Sequence, residues 1–162
     1  MESLEEVKYK SQLSKINGYE LFSKYYINGS PTVLFEAGMG DSSEIWASIQ
    51  SKISLFTTTF SYDRAGIGKS DTSAIPRTCL DIVEDLFELL QKLSLKPPFI
   101  LVGHSFGGLV SRIFASMYPN LVVGIILVDV RAAVAPVTAV AALSRLAFPQ
   151  FGNPREGGNV NG

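Results

Sequence analysis

Four short apolar runs, at residues 32–35, 58–62, 99–102 and 122–130, recur along the chain with helical patterns between them. Strands that alternate with helices in this way assemble a mostly parallel sheet, and the crossover helices cover both of its faces. The start of the chain is different. Two Asn-Gly pairs, Asn17-Gly18 and Asn28-Gly29, flank residues 19–27, a stretch rich in aromatic residues that suits a strand and predicts an antiparallel beginning. Asn28-Gly29-Ser30 also matches a glycosylation sequon, but no secretory signal precedes it, so the pair reads as a turn.

The helical stretches carry start and stop signals. Asp41 stands three residues before Glu44, and Thr78 three before Asp81, each placed to cap the free N–H groups of a first turn. From Leu80 onward Ile82, Val83, Leu86, Phe87, Leu89, Leu90 and Leu93 recur at three- and four-residue steps, with Asp81, Glu84, Asp85, Glu88 and Lys92 mostly on the other face. A third helix is expected over residues 107–117, stopped by Pro119.

A chain of 162 residues, 46% of them hydrophobic, can build one buried core. Its 14 basic and 15 acidic residues are spread along the chain and leave a net charge of −1, so neither nucleic acid nor an anionic membrane is an expected partner. No apolar run reaches the length of about 18 residues that a membrane span needs. The first ten residues hold Glu2, Glu5 and Glu6 and no apolar core of a signal peptide, and the single cysteine, Cys79, falls in an apolar helical pattern. These features suit a cytoplasmic location. Past residue 130 the composition shifts: residues 131–162 hold seven alanines and neither lysine nor aspartate, whereas the first 130 hold eight lysines. Two parts are therefore expected, a folded core over 1–130 and a tail over 131–162 that is Ala-rich and then Gly/Asn/Pro-rich. Residues 132–146 read either as a helix despite Pro136 or as a segment unrelated to the fold, and 151–162 are expected to be disordered because they have too little apolar surface to offset the entropy of ordering.

The chemistry concentrates at Gly103-His104-Ser105-Phe106-Gly107, a G-x-S-x-G pattern between an apolar strand and a helix. Such a turn lifts the serine hydroxyl clear of the sheet, and the two glycines let the strand and helix backbones approach closely. The first turn of the helix offers unpaired N–H groups, so the Phe106 N–H is a candidate donor to a developing oxyanion. Gly68-Lys69-Ser70 looks like the end of a phosphate-binding loop, but that motif needs glycine at position 63, where Asp63 stands. No His/Cys/carboxylate cluster has metal-ligand spacing, and neither metal nor cofactor is expected.

With the serine turn in place, the sequence resembles the α/β-hydrolase superfamily, in three blocks of matching order. Val33-Leu34-Phe35-Glu36-Ala37-Gly38-Met39-Gly40 is similar to the strand and oxyanion loop of that family, which makes the Met39 N–H the second donor by resemblance. Asp63-Arg64-Ala65-Gly66-Ile67-Gly68-Lys69-Ser70 is similar to the turn after the next strand, and the turn at Ser105 is the third block. Glu36-Ala37 stands where the family often has a histidine before the loop glycine, a variant that leaves the backbone donor unaffected. The resemblance covers about residues 15–130. It implies an α/β-hydrolase-type, mostly parallel sheet with helices on both faces, truncated after about the sixth strand.

The activity that the resemblance implies is hydrolysis of an ester or similar acyl bond in a small molecule, with Ser105 as nucleophile and an acyl-enzyme intermediate. Serine there argues against the epoxide hydrolases and haloalkane dehalogenases of the superfamily, which use aspartate. Family members take a histidine, late in the chain, as the base for their serine. This chain has one histidine, His104, and side chains next to each other on a sharp turn point apart. A serine without a base is a weak nucleophile, so the chain alone is expected to be nearly inactive. Asp129, at the end of the run 122–130, reads either as the acid that some members take from this strand or as a brace for the strand end. Three alternatives to a working enzyme stay open: a truncated product, a subunit dependent on a partner, and a binding protein that keeps the hydrolase pocket. The apolar stretch 125–128 is expected to leave an open sheet edge through which copies of the chain associate.

Overall fold

Asn17 and Gly18, with φ of 51° and 91°, close a two-residue turn of the kind that matches strand twist. It joins β1 (Tyr9–Ile16) to β2 (Tyr19–Tyr26) in an antiparallel pair whose last register step is Ile16 opposite Tyr19. The computed structural model describes residues 8–129 and 147–148. β3 (Thr32–Glu36), β4 (Thr58–Tyr62), β6 (Phe99–His104) and β7 (Val122–Val128) complete a six-stranded sheet in the order β1-β2-β4-β3-β6-β7. The β3, β4, β6 and β7 strands are mutually parallel, while β2 runs antiparallel to β4. The expected antiparallel start and parallel remainder are both present. A two-stranded ribbon pairs β5 (Arg77–Thr78) with β8 (Ala147–Phe148). The rest of the tail, with the stretch 132–146 for which a helix is one of two readings, lies outside the described residues.

Period-two alternation in the central strands feeds two cores. On one face Leu34, Phe60 and Leu101 meet α2 (Cys79–Lys92) and α3 (Phe106–Met117), with Val83, Leu86, Leu89, Val110 and Phe114 buried between them. On the other face Val33, Phe35 and Val102 pack with Trp46, at the end of a 3-10 turn (Ser43–Trp46), and with Ile53 of α1 (Ala47–Ile53). Helices thus cover both faces, as the alternation of strands and helices requires.

The capping box expected at Thr78 forms in full: Thr78 accepts from the Asp81 N–H, and Asp81 accepts from the Thr78 N–H. Two local expectations are corrected. Ser42, not Asp41, accepts from the Glu44 N–H, because Asp41 is committed to a turn in which its N–H donates to the Gly38 carbonyl at 3.3 Å. Asp85 is buried rather than on the solvent face of α2. It accepts from the Tyr19 hydroxyl at 2.6 Å and the Asn17 amide at 2.9 Å and is paired with Arg77, so the helix is bolted to the β1–β2 hairpin through a polar group that periodicity assigns to water. The Asn28 side chain donates to the Ser54 carbonyl, which makes the second Asn-Gly pair a structural turn.

Close approach of backbones sets the sheet edge where the parallel strands end. A Cβ on Gly107 would lie 2.2 Å from the Glu36 carbonyl oxygen, and one on Gly103 would lie 2.6 Å from the Gly107 carbonyl oxygen. Only glycine lets α3 start this close to β3 and β6. Gly107→Ala is therefore expected to destabilise the chain by about 1–3 kcal/mol in denaturant unfolding. Gly124→Ala, where an added Cβ meets nothing within 4 Å, is expected to change stability by less than about 0.5 kcal/mol.

Candidate active site

The carboxyl ends of β3, β4, β6 and β7 lie along one edge of the sheet, where open α/β sheets place their reactive groups. Ser105 sits between the end of β6 and the first residue of α3, exposed, with φ 49° and ψ −117°. A non-glycine residue in this conformation costs about 1–3 kcal/mol, and the surroundings hold it there. The Ser105 N–H donates to the Val128 carbonyl at 3.1 Å, and the Gly108 N–H donates to the Ser105 carbonyl at 2.9 Å.

Met39 follows β3, whose last residue, Glu36, pairs in register with Gly103. The loop at 38–40 and the turn at 105 are therefore neighbours along the sheet edge, and both Met39 and Ser105 are exposed there. Phe106 opens α3. Asp129 follows Val128, which pairs with His104, so Asp129 and Ser105 each come directly after facing residues of adjacent strands. Asp129 is exposed, with φ 45°. The four residues singled out from the sequence are thus brought to one edge, on the ends of three parallel strands.

His104 faces the loop that follows β3. Its Nδ1 stands 3.9 Å from an Asp41 carboxylate oxygen and 3.0 Å from where a Cβ of Gly38 would be. The imidazole lies beside the loop after β3, on the side where Gly38 has no room for a side chain.

Sequence reasoning did not find the role of Arg64. Its buried guanidinium donates to Glu36 Oε2 at 3.1 Å, to the Ala37 carbonyl at 2.9 Å and to the Gly38 carbonyl. The same group lies over the Phe106 ring, 5.2 Å from its centroid. The residue was visible within the Asp63–Ser70 block, and Glu36 was visible as a departure, but nothing in one sequence couples positions 28 apart. Its neighbour Asp63 closes the same block. One carboxylate oxygen accepts from the Ser43 N–H at 2.7 Å and the other from the Lys69 N–H at 2.9 Å, and a Cβ on Gly68 would collide with that carboxylate. The Lys69 amine lies over the Phe22 ring instead of a phosphate cradle.

Burial pushes the Glu36 carboxyl up to about 7, against the pull of the Arg64 cation. The Tyr62 hydroxyl, which faces Glu36, is raised well above its usual range, first by burial and then by the Glu36 charge.

The family model described as alpha/beta hydrolase fold matches residues 31–155. An uncharacterized protein of Bacillus subtilis, YqjL, is 40% identical over 98 residues, which make up 60% of this chain and 39% of that protein. Among solved structures, Cfl2 from Burkholderia cenocepacia superposes with a TM-score of 0.70 at 23% identity, covering 79% of this chain and 46% of Cfl2. The epoxide hydrolase VrEH1 from Vigna radiata superposes with a TM-score of 0.69 at 23% identity, covering 87% of this chain and 47% of VrEH1. The chain spans less than half the length of each of these proteins. No helix among the described residues is long and apolar enough to cross a membrane.

The raised Glu36 carboxyl has a signed consequence for stability. Between about 4.5 and about 7 the folded protein keeps the proton while the unfolded chain releases it, so rising pH favours unfolding across that window and no further above it. Glu36→Gln, which mimics the protonated form at every pH, removes this dependence. Relative to Glu36→Gln, the native chain is expected to lose about 3 kcal/mol between the two limits, read from denaturant midpoints in a pH series.

Proposed function

The chain belongs to the α/β-hydrolase fold family, and from that membership we propose that its site performs hydrolysis of an ester or similar acyl bond in a small molecule, with Ser105 as nucleophile. The observation that carries this reading is the backbone of Ser105: exposed, with φ 49° and ψ −117°, on a turn between strand and helix at the carboxyl edge of the sheet. This backbone supports reading the turn as a nucleophile elbow. In the proposed reaction Ser105 Oγ attacks the acyl carbon, the carbonyl oxygen becomes an oxyanion held by the Met39 and Phe106 N–H groups, and the alcohol leaves to give an acyl-enzyme. Water then releases the acid. The likeness to VrEH1, at 23% identity, extends to the fold alone and supports no choice of reaction.

Asp129 is the candidate acid, supported by its place one strand over from Ser105. A base for Ser105 is the component these 162 residues supply least well. Their one histidine turns its Nδ1 toward Asp41 and Gly38. The chain alone is therefore proposed to be a poor catalyst that retains the nucleophile and the donors.

A fluorophosphonate probe tests both parts. Ser105 of this chain is expected to label slowly at neutral pH and faster as rising pH supplies alkoxide, and Ser105→Ala is expected to abolish labelling. Labelling that survives Ser105→Ala would overturn the nucleophile assignment. Labelling as fast as in a complete serine hydrolase would overturn the proposed lack of a base. Val123, Ile126 and Leu127 of β7, at the end of the sheet order, are exposed. Self-association through that edge is accordingly proposed, and an apparent mass in sedimentation that rises with concentration is the expected result.

A further inference from the structure

We propose that Arg64 is the positioning residue that sets the direction of the Met39 N–H. The inference rests on the reading of the Met39 and Phe106 N–H groups as oxyanion donors. Arg64 directly follows Asp63 at the end of β4, next to β3, so its side chain lies under the loop that leaves β3. A buried ion pair needs only the Glu36 carboxylate. Here the planar guanidinium spends its remaining donors on two successive backbone carbonyls, those of Ala37 and Gly38.

The second of these carbonyls belongs to the same peptide unit as the Met39 N–H. That peptide is trans, so its C=O and N–H point in opposite directions across one rigid plane. Anchoring the Gly38 carbonyl on Arg64, inside the protein, turns the Met39 N–H away from the interior. The Asp41 N–H donates to the same carbonyl at 3.3 Å, and His104 and Asp41 close on Gly38 from beyond it, so the plane is held on several sides. The Arg64 guanidinium also lies against the Phe106 ring, while the Phe106 N–H is placed by the start of α3. A lysine cannot reproduce this arrangement, because a point charge reaches one carbonyl without the fixed fork that reaches two.

The test uses the full 162-residue chain, phosphonylated at Ser105 by prolonged exposure to a fluorophosphonate at about pH 10, where hydroxide raises the small alkoxide fraction without a protein base. The phosphoryl oxygen of the adduct stands in for the oxyanion. Amide proton shifts of Met39 and Phe106 on adduct formation, with the phosphorus shift and the labelling rate, are compared among the native chain, Arg64→Lys, Arg64→Met and the double variant Glu36→Gln/Arg64→Met. The double variant leaves no buried carboxylate unpaired and keeps the test open where Arg64→Met alone does not fold. In the native chain both amides are expected to shift downfield. In the Met variants the Met39 response is expected to vanish while that of Phe106 persists, and labelling is expected to slow roughly a hundredfold, the scale of one lost donor. Arg64→Lys is expected to fall between. An unchanged Met39 response in a folded Met variant would overturn the proposal, as would equal loss at both amides, which marks general loosening. A native chain that labels with no Met39 response would overturn the donor reading itself, and the role of Arg64 with it.

Discussion

The contact on which the rest of the site depends is between backbones. α3 begins against β6 and β3 at a distance that excludes any side chain at Gly103 or Gly107, and the first atoms a Cβ there would meet are the carbonyls of Glu36, Ala37 and Gly107. This places the turn at Ser105 beside the loop leaving β3. It also accounts for the serine's backbone, because a strand and a helix joined this tightly leave their connecting residue few conformations, and here it takes φ 49°.

Around that contact the protein accumulates buried charge. Arg64, Glu36 and Asp63 are each less than 10% exposed, which a chain tolerates only where hydrogen bonds replace water. Asp63 meets the condition with backbone N–H groups from both sides of the sheet edge, and Arg64 meets it with carbonyls and a carboxylate. Glu36 meets it less fully: among the described residues its Oε1 makes no hydrogen bond, and burial pushes its carboxyl up to about 7. An arginine that holds a loop by its carbonyls therefore has its counter-ion at the edge of ionisation. Burial of a charged pair is weak evidence for stability, and a site that gives a loop one geometry is a more consistent account of this one.

The contact between α2 and the β1–β2 hairpin follows the same rule with a different outcome. Asp85, Tyr19, Asn17 and Arg77 form a partly buried polar joint between α2 and the β1–β2 hairpin, with Asp85 and Tyr19 at its buried centre. Helical periodicity assigned Asp85 to solvent because it sees only the face of one helix. The hairpin that covers that face belongs to a part of the chain 66 residues away.

The alternation of apolar runs and helices, the Asn-Gly turn, the Thr78 capping box and the motif around Ser105 were all legible in the sequence, since each rests on interactions within a few residues or on a period that local geometry imposes. Strand order, the burial of Asp85, the direction of His104 and the pairing of Arg64 with Glu36, Ala37 and Gly38 were decided only by tertiary structure. A sequence states which groups a residue carries. Which acceptors surround a guanidinium is set by strands that become neighbours only when the sheet forms, and so the chain alone determined the parts of this site while packing determined how they are held.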